Sequence, residues 1–271
     1  MRLSFLSIHA FQQWILLLVL LTAIPLANSN SNSQPWQNPS YIQKAFNEIA
    51  LKNEYRRTEG RILKWQAPIR YQFVYHNIKK NTMIEQLFNT HLQHLQAITG
   101  HPIKKHQPYH IGQANLLIHL TPDTHYEQII QTTSPDANKN LARNSHCMAG
   151  FKRNKKNIIT QAQVVIPVDH VFSKGLLVTC IVEETTQILG LPNDADWVNP
   201  SIANDATKIE FLTGLDYLFL KILYDKNLPV GLPYPQNQKI IQRVIQKLNA
   251  NGEIKHASRT INQMGLFPEI N

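Results

Sequence analysis

Cysteine is almost missing from this sequence: its 271 residues hold two, Cys147 and Cys180. A disulfide-dense scaffold is thereby excluded. In an exported chain an even pair reads as one disulfide, with two buried free thiols as the alternative. Joined, the two would tie the strand before residue 152 to the helix that carries Glu183, a link worth roughly 3–4 kcal/mol in the chain-entropy model. Acidic residues are also scarce: 18 Asp and Glu stand against 27 Lys and Arg, a formal net charge of +9. Such a surface favours polyanions; outside the cytoplasm these are anionic lipid headgroups, cell-wall polymers and acidic polysaccharides. Solubility is the plainer use of the same charge. No recognised DNA- or RNA-binding motif accompanies it, so specific nucleic-acid recognition is not expected. There is no internal repeat. Serine and histidine are plentiful, yet they form no triad signature.

Long apolar runs are lacking too. The one candidate, Trp14 to Leu26, is too short to span a bilayer comfortably. Arg2 is the only charge before it, and Ala27-Asn28-Ser29 fits a signal-peptidase site. Residues 1–29 therefore read as a signal peptide, with an uncleaved signal anchor as the alternative. No cysteine follows the run to take a lipid anchor. The expected location is periplasmic or secreted, with no transmembrane span after cleavage. Residues 30–37 read as a polar linker.

What remains has the ordinary means of a globular chain: 43% of all residues are hydrophobic. Residues 38–58 show apolar Ile42, Phe46, Ile49 and Ala50 at helical spacing. Ile69 to Tyr75 is rich in aromatic and β-branched residues and reads as a strand. Thr82-Met83-Ile84-Glu85 has the form of a capping box and opens a helix closed by Gly100 and Pro102. His91 and His94 on that helix read as partly exposed polar residues rather than metal ligands. Ala114 to Leu120 is a short continuous apolar run that suits a central strand, and Asp123 opens a short helix to about Thr132. A polar loop, residues 134–145, precedes a hairpin of two strands, about 147–152 and 158–168, turned at Arg153-Asn154-Lys155-Lys156-Asn157. One helix is expected from about Phe172 to Leu189. Thr213-Gly214-Leu215-Asp216 caps the next, and a last amphipathic helix spans about Gln238 to Leu248. Strands mixed with helices before and after imply an α+β fold around one twisted mixed sheet.

The most informative stretch is Cys180 to Asp194. Glu183 and Gln187 are four apart and share a helix face. Glu184 lies one step round. Gly190 suits a left-handed position past a helix end, and Pro192 cannot prolong the helix. Asn193 follows three residues after Gly190. Zinc-hydrolase helices have this spacing, yet no histidine occupies any of the three ligand places here.

Two resemblances follow from these residues. The segment Glu183-Glu184-x-x-Gln187-x-x-Gly190-x-x-Asn193-Asp194 resembles the metzincin clan of zincin metallopeptidases. In that clan the three ligand places are histidines and the residue after the first is the catalytic glutamate. Ser201-Ile202-Ala203-Asn204-Asp205 resembles the clan's methionine-containing turn, with Ala203 where the methionine would stand. Leu212-Thr213-x-x-Asp216 to Leu223-Tyr224 resembles its closing helix. The resemblance implies a zincin-like α+β domain over 38–235: a twisted mixed sheet, a central helix under it and a closing C-terminal helix. Residues 236–271 would add an amphipathic helix and tail. The chain is also similar to domain-of-unknown-function family 2927, uncharacterised bacterial envelope proteins. That similarity rests on Asn53-Glu54-Tyr55, Lys64-Trp65-x-x-Pro68-Ile69, Cys147, the stretch from Cys180 to Asp194, Ser201-Ile202-x-Asn204-Asp205 and Leu223-Tyr224-Asp225.

The donor chemistry limits what such a site can do. Zinc hydrolases use imidazole, thiolate and carboxylate ligands. Glu183, Gln187 and Asn193 offer one carboxylate and two amides, a set for calcium or another hard divalent cation if further oxygens and waters join; Asp194, Asp196, Asn204 and Asp205 are near enough in sequence to contribute. Without a metal, Glu184 has no acidified water to use. The expectation is a non-catalytic binding or structural module of the bacterial cell envelope without a zinc cofactor. The alternative is a peptidase-like hydrolase with a non-standard metal and Glu184 as general base. A chance resemblance in an unrelated α+β protein is the third reading.

Overall fold

A computed structural model describes residues 34–53, 60–107, 113–133 and 145–270. The signal segment and the polar loop lie outside the described residues, apart from Ser145. Gln34–Asn271 clusters as one compact unit.

The unit opens with a short 3-10 turn, Pro35–Gln37, whose Trp36 is buried. Helix α1, Pro39–Leu51, starts where the Asn38 side chain accepts the Ser40 amide and Pro39 needs no partner. Its Ile42, Ala45, Phe46 and Ile49 are buried in the main core. Strands β1, Lys64–Trp65, and β2, Ile69–Tyr75, lead to helix α2, Thr82–Thr99. The cap of α2 sits one residue earlier than the motif suggested: Asn81 accepts the Met83 and Ile84 amides. Glu85 is thereby released from capping and accepts from Tyr75 Oη at 2.6 Å and Lys105 Nζ at 2.8 Å. Strands β3, Ile103–Lys105, and β4, Leu116–Thr121, follow, then helix α3, Asp123–Thr133. Strand β5, Met148–Arg153, and strand β6, Ile158–Pro167, form the expected hairpin.

The sheet is mixed but mostly parallel. Strand β4 lies between β2 and β6, both parallel to it, and β3 extends the sheet beyond β2. Strand β1 pairs in parallel with the first residues of β6. Only β5 runs antiparallel, on β6. Alternate residues on a strand face opposite sides. One side, with Leu116, Ile118, Leu120, Val164 and Ile166, belongs to the main core. The other side carries Val165 against Tyr126 and Ile130 of α3.

Where one long helix was expected there are two, α4 over Val168–Lys174 and α5 over Leu177–Gln187. Gly175 separates them at φ +70, outside the right-handed helical region. Helix α5 also ends at Gln187 rather than beside Gly190, and residues 188–190 form a tighter turn. The apolar periodicity runs through both breaks, which is why spacing alone joined them. Cys147 and Cys180 are disulfide-bonded with their Cα atoms 5.9 Å apart, so the start of β5 is fastened to α5.

Helix α6, Gly214–Leu223, opens on the predicted Thr213–Asp216 box, here reciprocal. Helix α7, Gln238–Ala250, is followed by α8, Glu253–Ile261, and α9, Phe267–Ile270. This C-terminal segment returns to α2 and buries the two histidines that the sequence left partly exposed: His91 and His94 are 1% and 6% exposed. Gly265 packs so closely on the His94 ring that a Cβ there would clash.

Burial, with His94 as neighbour, pushes His91 down to about 3, and burial pushes His94 down to about 4. An unfolded histidine titrates near ~6.5, so as pH falls the unfolded chain takes up protons first. The stabilising effect of neutral burial is complete above about pH 6.5 and drains below it, at about 1.4 kcal/mol per pH unit for each group. Thermal melting is expected to shift downward between about pH 6.5 and pH 4, and His91→Gln to flatten that slope. Reduction of the disulfide should also lower the melting temperature, by an amount equivalent to about 3 kcal/mol; differential scanning calorimetry with and without reductant reads it.

Candidate functional site

The segment from Glu183 to Asp216 gathers the residues singled out in the sequence. Helix α5 presents Glu183 and Gln187, both half-buried, along one edge. Glu184 points elsewhere: it is 5% exposed, and its charge contributes to holding the Tyr126 phenol above the usual range, after burial. Glu183 and Glu184 therefore face different surroundings.

The turn after α5 is held from outside by side chains far away in sequence. Trp65 Nε1 donates to the Ile188 carbonyl at 2.8 Å. Tyr224 Oη donates to the Leu189 carbonyl at 2.9 Å. Asn53 Nδ2 donates to the Pro192 carbonyl at 3.3 Å. Gly190, at φ +115, lies against Leu63 so closely that a Cβ would stand 2.0 Å from the Leu63 carbonyl oxygen. Nearby, Lys64 Nζ caps the end of α6 by donating to the carbonyls of Leu223 at 3.0 Å and Leu228 at 2.6 Å. Burial lowers the Lys64 ammonium to about 8, opposed by the Asp225 charge.

Beyond the turn, the three places with metal-ligand spacing do not act alike. Gln187 Nε2 stands 3.1 Å from both carboxylate oxygens of Asp194. Asn193 is 6% exposed, and its amide nitrogen donates to the Asp194 main-chain carbonyl at 3.0 Å. The carboxylates that come together are Glu183, Asp194 and Asp205, each offering an oxygen within 4.8 Å of the others. So Glu183 keeps the expected place, Gln187 and Asn193 serve as hydrogen-bond donors, and Asp194 and Asp205 supply the other oxygens. This set has none of the imidazole or thiolate donors that zinc sites in proteins mostly use. Its all-oxygen character suits a hard cation, though three carboxylates are fewer than the about 6–8 oxygens calcium takes.

Under this cluster the turn that carries Ala203 is rigidly made. Ser201 Oγ donates to Asp216 Oδ1 at 2.6 Å, and the Ile202 amide donates to Asp216 Oδ2 at 3.2 Å. Thr213 adds its own amide and hydroxyl to Asp216 Oδ2, both at 2.8 Å. Burial raises the Asp216 carboxyl while these donors pull it back. Asn204 Nδ2 donates to the carbonyls of Asp196 at 2.8 Å and Val198 at 3.0 Å. Ala203 is 6% exposed and lines a small cavity with Ile49, Glu183, Gln187, Asp216 and Phe219. The cavity has room for about one water molecule.

Trp65, Tyr224, Lys64 and Asn53 were legible only as pieces of the family pattern. Their role as a cage depends on contacts across the whole chain, which no local spacing encodes.

These features define an α+β protein with a mostly parallel mixed sheet, whose central helix ends in an externally braced turn. The chain belongs to the family of proteins of unknown function DUF2927, whose sequence profile matches residues 39–243. No curated protein and no solved structure matches it. Among the described residues no helix is long and apolar enough to cross a membrane.

Removing the Ser201 hydroxyl takes one donor from a buried carboxylate. Ser201→Ala is expected to destabilise the fold by about 1–3 kcal/mol, measured by urea denaturation.

Proposed function

We propose that this chain is a non-catalytic binding or structural module of the bacterial cell envelope, built on a degenerate zincin scaffold. The observation that carries this reading is the use made of the ligand-spaced residues. Gln187 and Asn193 direct their amide nitrogens to Asp194, one to its carboxylate and one to its main-chain carbonyl. Groups at positions that hold metal in the metzincin resemblance here stitch the helix to its own loop. The order of elements supports the ancestry: a sheet with one antiparallel edge strand, then the helix with Glu183 and Glu184, then a braced turn with Ala203, then α6.

Export is part of the same reading. The N-terminal segment with its Ala27-Asn28-Ser29 site supports it, and the Cys147–Cys180 bond suits an oxidising compartment. Once outside the cytoplasm, the chain without residues 1–29 keeps a net charge of +8 and is drawn to anionic polymers and headgroups. Lys155 and Lys156 at the exposed β5–β6 tip are the foremost part of that charge.

Purified mature protein is expected to leave casein and mixed peptides uncut, with or without added zinc or calcium. Cleavage that Glu184→Gln abolishes, together with a metal that Glu183→Ala removes, would overturn the proposal.

A further inference from the structure

Five of the histidines lie away from the α5 turn, around the ends of the strands: His76, His119, His125, His146 and His170. We propose that His76 and His119 bind a borderline divalent metal ion of the zinc, nickel and copper class. The site is distinct from the carboxylates near Glu183 and does not rest on the functional reading above.

The fold places the two rings together. His119 on β4 is opposite Val74 on β2, and the His76 amide donates to the Leu120 carbonyl at 2.9 Å. His76 is two residues past Val74, so both imidazoles project from the same side of the sheet. They sit at the carboxyl ends of parallel strands, where open α/β sheets characteristically hold ligands. Strand β4 ends at Thr121 and helix α3 starts at Asp123, so the helix begins next to this end of the sheet.

The local geometry is that of two nitrogens aimed at each other. His76 Nε2 and His119 Nδ1 are 2.8 Å apart, the ring planes are 19° from parallel and the centroids are 5.1 Å apart. The rings therefore lie edge to edge, with the nitrogen–nitrogen line running from centroid to centroid. One nitrogen must be unprotonated for such a contact. Two imidazoles on a tetrahedral zinc, at about 2.0–2.1 Å, have nitrogens roughly 3.3 Å apart. To admit a metal on that geometry the pair must open by about half an ångström and each ring must turn by roughly 35°, so that both lone pairs meet one ion. His76 is half-buried and can swing, while His119 is 5% exposed and held.

A second observation distinguishes this pair. His119 Nε2 and Gln163 Oε1 are both buried, and neither meets a hydrogen-bond partner. They lie on one face, since Gln163 is opposite Leu117 and Val165 opposite His119. Gln163 Nε2 donates to the Thr133 carbonyl at 2.7 Å, which turns the amide oxygen the other way. Metal-binding histidines commonly direct the remaining ring N–H at a carbonyl or carboxylate, which fixes the tautomer. Gln163, close enough to His119 to act on its imidazole, offers Oε1 as that acceptor. The other pair, His146 Nδ1 and His170 Nε2, is also 2.8 Å apart, but His146 is exposed and His170 half-buried, with no orphaned buried acceptor on either residue. Neutral imidazoles without a carboxylate select borderline ions over calcium or magnesium.

The proton balance is simple. With His119 protonated on Nε2, its Nδ1 accepts the Nε2 proton of His76. On metal binding that proton passes to Nδ1 of His76, Nε2 becomes a ligand, and no net proton is released when both rings start neutral.

The test is calorimetric titration of chelator-treated, full mature protein with zinc chloride, followed by the cobalt(II) absorption spectrum. One equivalent should bind, and His76→Ala should abolish it while melting shows the fold intact. His119 is buried and its loss could unfold the chain, so Gln163→Leu is the second variant; it should weaken zinc by about 10–100-fold. His146→Ala and Glu183→Ala should leave binding unchanged. Absence of saturable zinc binding by folded wild type, or zinc binding that survives His76→Ala, would overturn the proposal. Loss of the zinc on Glu183→Ala would overturn it as well, and would place the metal at the other site.

Discussion

The structure depends on a requirement at the end of α5. A helix leaves its last carbonyls without internal partners, and when that end is buried they must find donors elsewhere. Ile188 and Leu189 are almost fully buried. Their carbonyls are met by the Trp65 indole and the Tyr224 phenol, which come from β1 and from the far end of α6. The same contacts bring β1 alongside β6 and hold α6 against the turn. Asn53 performs the equivalent service for Pro192 after α1. One local deficit is thus satisfied by three separate parts of the chain, and satisfying it assembles them.

The second anchor is electrostatic. Asp216 is 2% exposed, yet four hydrogen bonds reach its carboxylate from Ser201, Ile202 and Thr213. It caps α6 and shapes the Ala203 turn at once. A buried carboxylate is costly unless so satisfied. The donors here are two hydroxyls and two main-chain amides, so no cation is needed to balance it. That differs from the half-exposed and exposed carboxylates of Glu183, Asp194 and Asp205, which meet at the surface of the same segment.

Much of this was readable from local pattern. The α6 cap follows from Thr213 and Asp216 three residues apart, and the disulfide from two cysteines in a chain that reads as exported. The central strand follows from its apolar run, and Gly190 from its place before a proline. What was not readable depends on distance along the chain. Asp194 and Asp205 stand near enough in sequence to be named beside Glu183, but the loop between has no period, and nothing local says that Gln187 and Asn193 turn to Asp194 instead. The burial of His91 and His94 required the segment after Gly252 to come back across α2, and that segment had shown no clear pattern. Gly175 stands inside the one helix that was expected, and the apolar spacing on either side masked the break. Strands β1 and β3 are too short for any period to declare itself.

Bracing from outside has a further consequence for how this protein can change. The backbone after α5 is gripped from outside through main-chain carbonyls and through a glycine seated on Leu63, and Gln187 and Asn193 add bonds to Asp194 from within. Glu183 takes no part in the outside grip, so a substitution there leaves the Trp65, Tyr224 and Leu63 contacts in place. The chemistry at that one position can drift across generations while the frame around it stays standing.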